Sequence, residues 1–267
     1  FLLNSFAKKI YNQNKCKTIF ISNHHYANVI SAMSLKTNKK IKLILTERTS
    51  IEQLKIYYNF FDYIKKAIIL FLVKFTYKKA NQIIANSKRE ANDIKLLCKC
   101  KAKHIYPPSF KKYLNFKTKK NKICKILTVG SLTKEKGLDT IIKSLGLLSK
   151  YKFRLDILGK GYDIKQNEKN YLNLLINQNK LRKKIKLHGY KKNLSKFYKN
   201  SNLYINSSHI EGFSSSIIDA INYNLGIIAS DCKGGNREIL LNGRGGDLFE
   251  IDDHIGLSRK IKNFFKN

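Results

Sequence analysis

The chain has 267 residues, 43% of them apolar, with only two prolines and fourteen glycines. That is enough for two domains with their own cores, and it excludes a fibrous or linker-like protein. Lys and Arg number 53 against 18 Asp and Glu, a formal net charge of +35; this favours anionic partners such as a membrane surface, phosphorylated substrates or nucleic acid, while the abundance of Lys, Asn and Ile equally fits an AT-rich coding bias.

In chain order, short β-rich runs alternate with longer amphipathic ones. Thr18–Ser22 reads as a strand, Ala27–Leu35 as a helix and Ile41–Thr46 as a strand. A broken helical pattern covers Ile51–Lys79. Gln82–Asn86 is a strand, and Ser87 is placed to cap a helix from Lys88. The run Ala67–Val73 is the most apolar in the chain. It falls well short of the roughly 20 residues a spanning helix needs, so it reads as a buried helical segment, with shallow membrane contact as the other reading. Pro107-Pro108 then breaks the rhythm, and residues 113–122 read as a linker.

The rhythm restarts with strands at Ile123–Val129, Phe153–Leu158, Ile185–His188, Leu203–Asn206 and Ile227–Ser230. Helices fit Gly137–Ser149, Glu168–Asn179, Leu194–Lys199, Ser214–Tyr223 and Asn236–Leu241, and 251–267 form a C-terminal amphipathic helix. The βα alternation predicts α/β architecture, with mostly parallel sheets covered by helices. The expected domains are 1–112 and 123–250. The chain begins at Phe1 and its only methionine is Met33, which leads us to expect a first domain truncated at its N-terminus. The cysteines Cys16, Cys98, Cys100, Cys124 and Cys232 are odd in number and irregularly spaced; free thiols acting as small buried hydrophobes are expected, in a reducing cytosol.

Four features fall near the C-terminal ends of predicted strands, the edge where open α/β sheets bind ligands. In Val129-Gly-Ser-Leu-Thr-Lys-Glu-Lys-Gly137, Gly130 lets a ligand approach the backbone. Lys136 can reach a phosphate, or it is a solvated lysine at an ordinary βα turn. Leu158-Gly159-Lys-Gly161 is a second glycine turn. In Leu187-His-Gly189-Tyr190 the glycine again permits close approach, here to a flat base, and His188 reads as a packed or solvated histidine rather than a catalyst. The fourth feature is Ser207-Ser-His-Ile-Glu211-Gly-Phe-Ser-Ser-Ser-Ile-Ile-Asp219. A serine-rich helix start at Phe213–Ser216 suits a diphosphate and is flanked by two carboxylates able to accept bonds from sugar hydroxyls. Alternatively, Glu211 is a capping acid and Asp219 a solvated face residue.

In order and spacing these four features resemble the family 4 glycosyltransferases of the GT-B class. Ile227-Ile-Ala-Ser-Asp231, Gly234-Gly235, Glu238-Ile-Leu240 and Gly245-Gly246 extend the resemblance. In the first half, Ile21–Asn28, Thr46–Ser50, Ile84–Ser87 and Ile105–Pro107 resemble the later part of the family's acceptor domain. The family's opening strand and glycine loop have no counterpart. The resemblance implies two Rossmann-like βα domains facing across a cleft, the first incomplete. It implies a retaining transferase that moves a hexose or N-acetylhexosamine from a nucleotide-diphosphate sugar, UDP-linked by our reading, to a glycan or lipid-linked acceptor in envelope polysaccharide or glycoconjugate synthesis.

Residue by residue, the resemblance implies that Lys136 holds the donor diphosphate and that Glu211 binds donor-sugar hydroxyls; these two are the catalytic candidates. Asp219 stands where the family usually has a glutamate on the ribose. Gly212, Phe213, Ser214, Ser215 and Ser216 would lie along the sugar and phosphates, with Gly189 and Tyr190 near the base and Gly130 and Gly159 at the walls. Ser131 replaces a common arginine, and Lys134 is an alternative cation. Asn224-Leu-Gly226 replaces the usual Gly-x-Pro turn. No cofactor or metal is implied. No histidine stands in the Thr46–Arg48 loop, and neither His24 nor His25 is assigned as catalytic. A peripheral site on an anionic membrane at the inner face of the plasma membrane is expected. A donor-binding fragment without turnover and a basic nucleic-acid-binding module are the alternatives.

Overall fold

The computed structural model describes residues 2–14, 16–35, 37, 40–108, 123–161 and 167–266. The chain divides into two compact units, Phe1–Pro107 with Lys233–Gly235, and Pro108–Cys232 with Asn236–Asn267. The linker expected at 113–122 lies outside the described residues.

The first unit runs α1 (Leu2–Asn14), β1 (Thr18–Asn23), α2 (His25–Ser34), β2 (Ile41–Glu47), a 3-10 turn at Ile51–Lys55, α3 (Phe60–Thr76), a 3-10 turn at Tyr77–Lys79, β3 (Gln82–Ala85), α4 (Lys88–Cys98) and β4 (Lys103–His104). Its sheet has the order β1-β2-β3-β4 with every pair parallel. Side chains set the helix starts. Asn59 accepts from the Asp62 amide at 2.8 Å ahead of α3, and Ser87 accepts from the Glu90 amide at 3.1 Å ahead of α4. The helix α1 is not among the elements the sequence pattern predicts, because among its thirteen residues only Ala7 is buried.

Two expectations need correction here. Ala67–Val73 is helical, but of that run only Val73 is fully buried, and Ile68 and Phe71 stand more than half exposed. The helix packs by one face and leaves the other open, so the run's length of apolar residues overstates its burial. Cys98 and Cys232 are buried thiols, whereas Cys16 is exposed; all five cysteines are free. Burial holds the Cys98, Cys124 and Cys232 thiols up at about 12.

The second unit runs β5 (Cys124–Val129), a 3-10 turn at Lys134–Lys136, α5 (Leu138–Leu147), β6 (Phe153–Leu158), α6 (Asn167–Gln178), β7 (Ile185–Leu187), α7 (Ser195–Asn200), β8 (Leu203–Asn206), α8 (Ser215–Asn222), β9 (Gly226–Ser230), α9 (Asn236–Ile239), β10 (Asp247–Phe249) and α10 (His254–Lys266). The six-stranded sheet has the order β10-β9-β8-β5-β6-β7, again with parallel pairs only. β8 is buried at every position, as a central parallel strand must be. Leu138, Ile141, Ile142 and Leu145 repeat at helical spacing on α5 and are buried against the sheet. Leu257 and Ile261 of α10 join the same core, so this helix is part of the unit's packing. Asn224 turns the chain before β9 in the left-handed region at φ 57°, a conformation asparagine tolerates.

Strand order positions the site. From β5 the chain builds outward through β6 and β7, then returns to place β8 on the other side of β5. The loops after β5 and β8 therefore lie side by side where the strand order reverses, at the C-terminal edge where sheets of this kind take ligands. Among the described residues no helix is long and apolar enough to cross a membrane.

Candidate active site

The loops after β5 and β8 are tied together. The Ser207 hydroxyl donates to the Lys136 carbonyl at 2.8 Å, and the His209 amide donates to the Glu135 carbonyl at 2.7 Å. Gly137 sits at φ 56°, where an added Cβ would lie 2.3 Å from the Ser207 carbonyl oxygen. Only glycine allows this approach, and the approach brings Lys136 beside Glu211.

Lys136 Nζ lies 2.6 Å from Glu211 Oε1, with both side chains largely shielded from water. The same carboxylate oxygen accepts from the Ser208 hydroxyl at 2.7 Å and from Asn206 Nδ2 at 3.5 Å. Asn206 is itself held: its Oδ1 accepts from Asn236 Nδ2 at 3.1 Å and from the Ser208 amide at 3.3 Å. Asn236, fully buried, also donates to the Ser230 carbonyl at 3.1 Å and contacts Cys232 Sγ at 3.3 Å. Glu211 is thus fixed by a chain of buried amides reaching α9. Motif reading passes over Asn206, Ser208 and Asn236. A signal existed for Asn206, a lone polar residue ending the apolar strand Leu203–Asn206.

The aliphatic stem of Lys136 runs over Gly130, where an added Cβ would meet Lys136 Cδ at 3.5 Å. Gly130 then borders a cleft of about 470 Å³ lined by Ser131, Gly159, Lys160, Tyr190 and Lys191, with Val129, Leu158 and Leu194 at its apolar wall. Gly159 abuts Gly130 so closely that a Cβ would fall 1.6 Å from the Gly130 carbonyl oxygen. Its amide donates to the Gly189 carbonyl at 3.0 Å, tying the third turn to the second. Gly189 is at φ 69° with no atom within 4 Å of a would-be Cβ, so its outer face is open, and Tyr190 beside it is 71% exposed. His188 makes a 2.5 Å contact through Nε2 with Asp156 Oδ1 of β6 and packs edge-on against Phe197. It anchors the base of this turn, as a packed histidine does.

The fourth motif surrounds the start of α8. Gly212, Phe213 and Ser216 are half-buried, Ser214 is buried and Ser215 is exposed. The Ser214 side chain does not cap the helix; its Oγ lies 3.1 Å from Ser216 Oγ. Beneath, the fully buried Tyr204 hydroxyl donates to the Val129 carbonyl at 3.3 Å, and Tyr198 donates to the Ser216 carbonyl at 3.3 Å. Asp219 lies one turn further along α8, and burial raises its pKa from an aspartate's ordinary value.

Gly130, Ser131, Gly159 and Tyr190 therefore share one cleft, with Lys136 and Glu211 paired at its Gly130 border. Lys134, the alternative cation, points elsewhere: it lines a separate depression with Asp139, Lys143, Glu168, His209 and Asp252. The 3-10 turn at Lys134–Lys136 sends the two lysines apart. Lys160 and Lys191 are the cations lining the Gly130 cleft, and motif reading assigns a role to neither. In the first unit, Glu47 of the histidine-free loop is fully buried. It is bonded by Tyr77 and by Asn28 Nδ2 at 2.9 Å, with His25 Nδ1 at 3.8 Å. Among the described residues no three His, Cys, Asp or Glu gather as a metal site.

The six-stranded parallel sheet carries a lysine–glutamate pair and glycine-lined walls beyond the C-terminal ends of its strands, the edge where such sheets take ligands, and the chain's two parallel sheets are Rossmann-like and match those of GT-B glycosyltransferases. The pattern of the family "Glycosyl transferases group 1" matches residues 109–267, and the chain belongs to that enzyme family. It is 40% identical over 116 residues to an uncharacterized glycosyltransferase of Methanocaldococcus jannaschii, covering 43% of this chain and 27% of that one. Over 246 residues it is 26% identical to the N-acetylgalactosamine-N,N'-diacetylbacillosaminyl-diphospho-undecaprenol 4-alpha-N-acetylgalactosaminyltransferase of Campylobacter jejuni, covering 90% of this chain and 65% of the relative. The chain thus spans less than two thirds of the length of either relative. In fold it is similar to Anabaena HepE, solved in complex with UDP, with a TM-score of 0.79 and 16% identity over 99% of this chain and 73% of that one.

Proposed function

We propose that this chain is a retaining, family 4 glycosyltransferase that moves a hexose or N-acetylhexosamine from a UDP-linked donor to a glycan or lipid-linked acceptor. The observation that carries the reading is the 2.6 Å Lys136–Glu211 pair at the border of a glycine-walled cleft. Lys136 and the start of α8 stabilise the leaving diphosphate, where negative charge develops as the glycosidic bond breaks. Glu211 accepts hydrogen bonds from hydroxyls of the donor sugar. Asp219 takes the ribose hydroxyls, and the nucleotide base lies over the open face of Gly189 beside Tyr190. The acceptor hydroxyl attacks the anomeric carbon from the face the nucleotide leaves, its proton passes to the departing diphosphate as the bond to UDP breaks, and configuration is retained. The reading routes no step through a metal ion.

UDP bound to HepE and a diphospho-undecaprenol acceptor in the name of the Campylobacter relative support this choice of donor and acceptor class. Such an acceptor, together with the +35 net charge, supports peripheral attachment to the inner face of the plasma membrane during envelope glycan synthesis. The test is transfer from UDP-sugars to a lipid-diphosphate acceptor by wild type and Glu211→Gln, with UDP binding measured calorimetrically in parallel. Transfer by wild type and its loss in the variant is the expected result. Equal activity in both removes the role given to Glu211, and UDP binding without transfer in wild type reduces the reading to a donor-binding fragment.

A further inference from the structure

The open face of α3 carries five large apolar side chains at helical spacing, Phe61, Ile64, Ile68, Phe71 and Phe75, each separated from the next by three or four residues. They are exposed by 82, 39, 54, 62 and 44% respectively, while Val73 and Thr76 on the opposite side are buried. A stripe of this size on a water-facing helix marks a contact surface.

Its flanks are basic. Lys65 and Lys74 lie on either side of the stripe and Lys78 and Lys79 follow its end, all exposed. Lys74 and Lys78 hold their ammonium groups 6.0 and 5.7 Å from the Phe75 ring centre. The only acid on the helix, Asp62, is neutralised by Lys66 at 2.8 Å. A seventeen-residue helix is about 25 Å long, too short and too charged to span a bilayer. Apolar stripe, aromatic residues and lysine border are the composition of a helix that lies in the interface plane.

We propose that α3 docks this chain on a bilayer containing anionic lipid, with the stripe in the acyl boundary and Lys65, Lys74 and Lys78 among the headgroup phosphates. This deepens the peripheral-membrane reading above, and it shares no residue with the donor site. Charge selects the occupant. A second copy would bring the same basic border and the same +35 charge, so two such faces repel. Single-stranded nucleic acid would use stacking rings, whereas aliphatic Ile64 and Ile68 at the centre of the stripe suit acyl chains.

The chain has no tryptophan, so one introduced indole reports its own surroundings. The full chain carrying Phe71→Trp, and separately Leu96→Trp at an exposed position of α4, is titrated with vesicles of phosphatidylcholine alone and with added phosphatidylglycerol. A blue shift for Phe71→Trp only, and only with the anionic vesicles, is expected. In co-sedimentation, Phe61→Gln/Ile68→Gln lowers vesicle affinity roughly tenfold, and Lys65→Gln/Lys74→Gln/Lys78→Gln roughly a hundredfold. Both variants keep the wild-type circular dichroism and UDP affinity. Equal shifts from the two reporters, an unchanged affinity in the apolar variant, a shift caused by an oligonucleotide but not by vesicles, or a lipid-free dimer abolished by the apolar variant would each overturn the proposal. A failure of UDP binding or transfer would leave these vesicle readouts unchanged, so the two readings fail separately.

Discussion

Lys136 Nζ sits 2.6 Å from Glu211 Oε1, so the cation assigned to the donor diphosphate is held by the carboxylate assigned to the donor sugar. The pair places opposite charges together at the border of the cleft and spares each the cost of partial burial alone. A diphosphate entering here gains the lysine but meets the glutamate's charge.

Two substitutions should therefore move UDP binding in opposite directions. Glu211→Gln keeps the shape, removes one negative charge and frees Lys136, so UDP is expected to bind about three- to tenfold tighter while transfer falls. Lys136→Gln loses a charge-assisted contact and should weaken UDP binding about ten- to a hundredfold. Calorimetry with UDP beside a transfer assay checks both. Parallel losses of affinity in the two variants would contradict this account.

The amides behind Glu211 predict a structural effect. Asn236→Ala removes donors to Asn206 Oδ1 and the Ser230 carbonyl and leaves Asn206 Oδ1 held by the Ser208 amide alone. A loss of about 2–3 kcal/mol is expected, read as a lower urea midpoint. Because Asn206 loosens, sugar transfer should fall more than UDP affinity does. An unchanged midpoint would show that water replaces the amide at no cost.

How much of this was legible in the residues follows periodicity. Parallel strands such as Leu203–Asn206 and amphipathic α5 announce themselves through apolar runs and helical spacing. β4, two exposed residues, is too short to carry a period. Motifs placed Lys136, Glu211 and the three glycine turns at the strand ends, since glycine and charge at those points are local features. The Asn206–Asn236 link joins residues thirty positions apart, and although Asn206 stands out at the end of an apolar strand, nothing local marks Asn236 as its partner. The destination of Lys134 depends on the 3-10 turn's geometry, which composition does not encode. The open face of α3 stayed hidden for a related reason, as an apolar run records hydrophobicity and not what lies against it.

Gly159 and Gly189 should respond differently to the same methyl group. At Gly159 the Cβ collides with the Gly130 carbonyl oxygen at 1.6 Å, so Gly159→Ala must part the ends of β5 and β6 and should lower both stability and UDP affinity. At Gly189 the space is open and only the positive φ is strained, which costs about 1–2 kcal/mol. If the base lies over that face, Gly189→Ala keeps the fold by circular dichroism yet weakens UDP binding. Unaltered UDP affinity in Gly189→Ala would move the base elsewhere.

The last prediction concerns pH. Glu90 of α4 is 2% exposed, with Oε1 accepting from the Ile51 amide at 2.8 Å. Burial, only partly offset by hydrogen bonds from the Ile51 amide and the Ser50 side chain, pushes its carboxyl from an ordinary 4.5 to about 8. A carboxyl raised on folding binds a proton that the unfolded chain has released. Its contribution is therefore fully present below 4.5 and is lost as pH climbs through about 8. Across that window each pH unit costs about 1.4 kcal/mol. Glu90→Gln keeps the acceptor for Ile51 and cannot titrate. Urea unfolding of wild type and variant over this range is expected to show similar stability at the acid end and a growing advantage for Glu90→Gln towards pH 8. Other groups with raised pKa values, Asp219 among them, cancel in the difference between the two proteins. A constant difference across the window would mean that Glu90 is ionised in the folded chain.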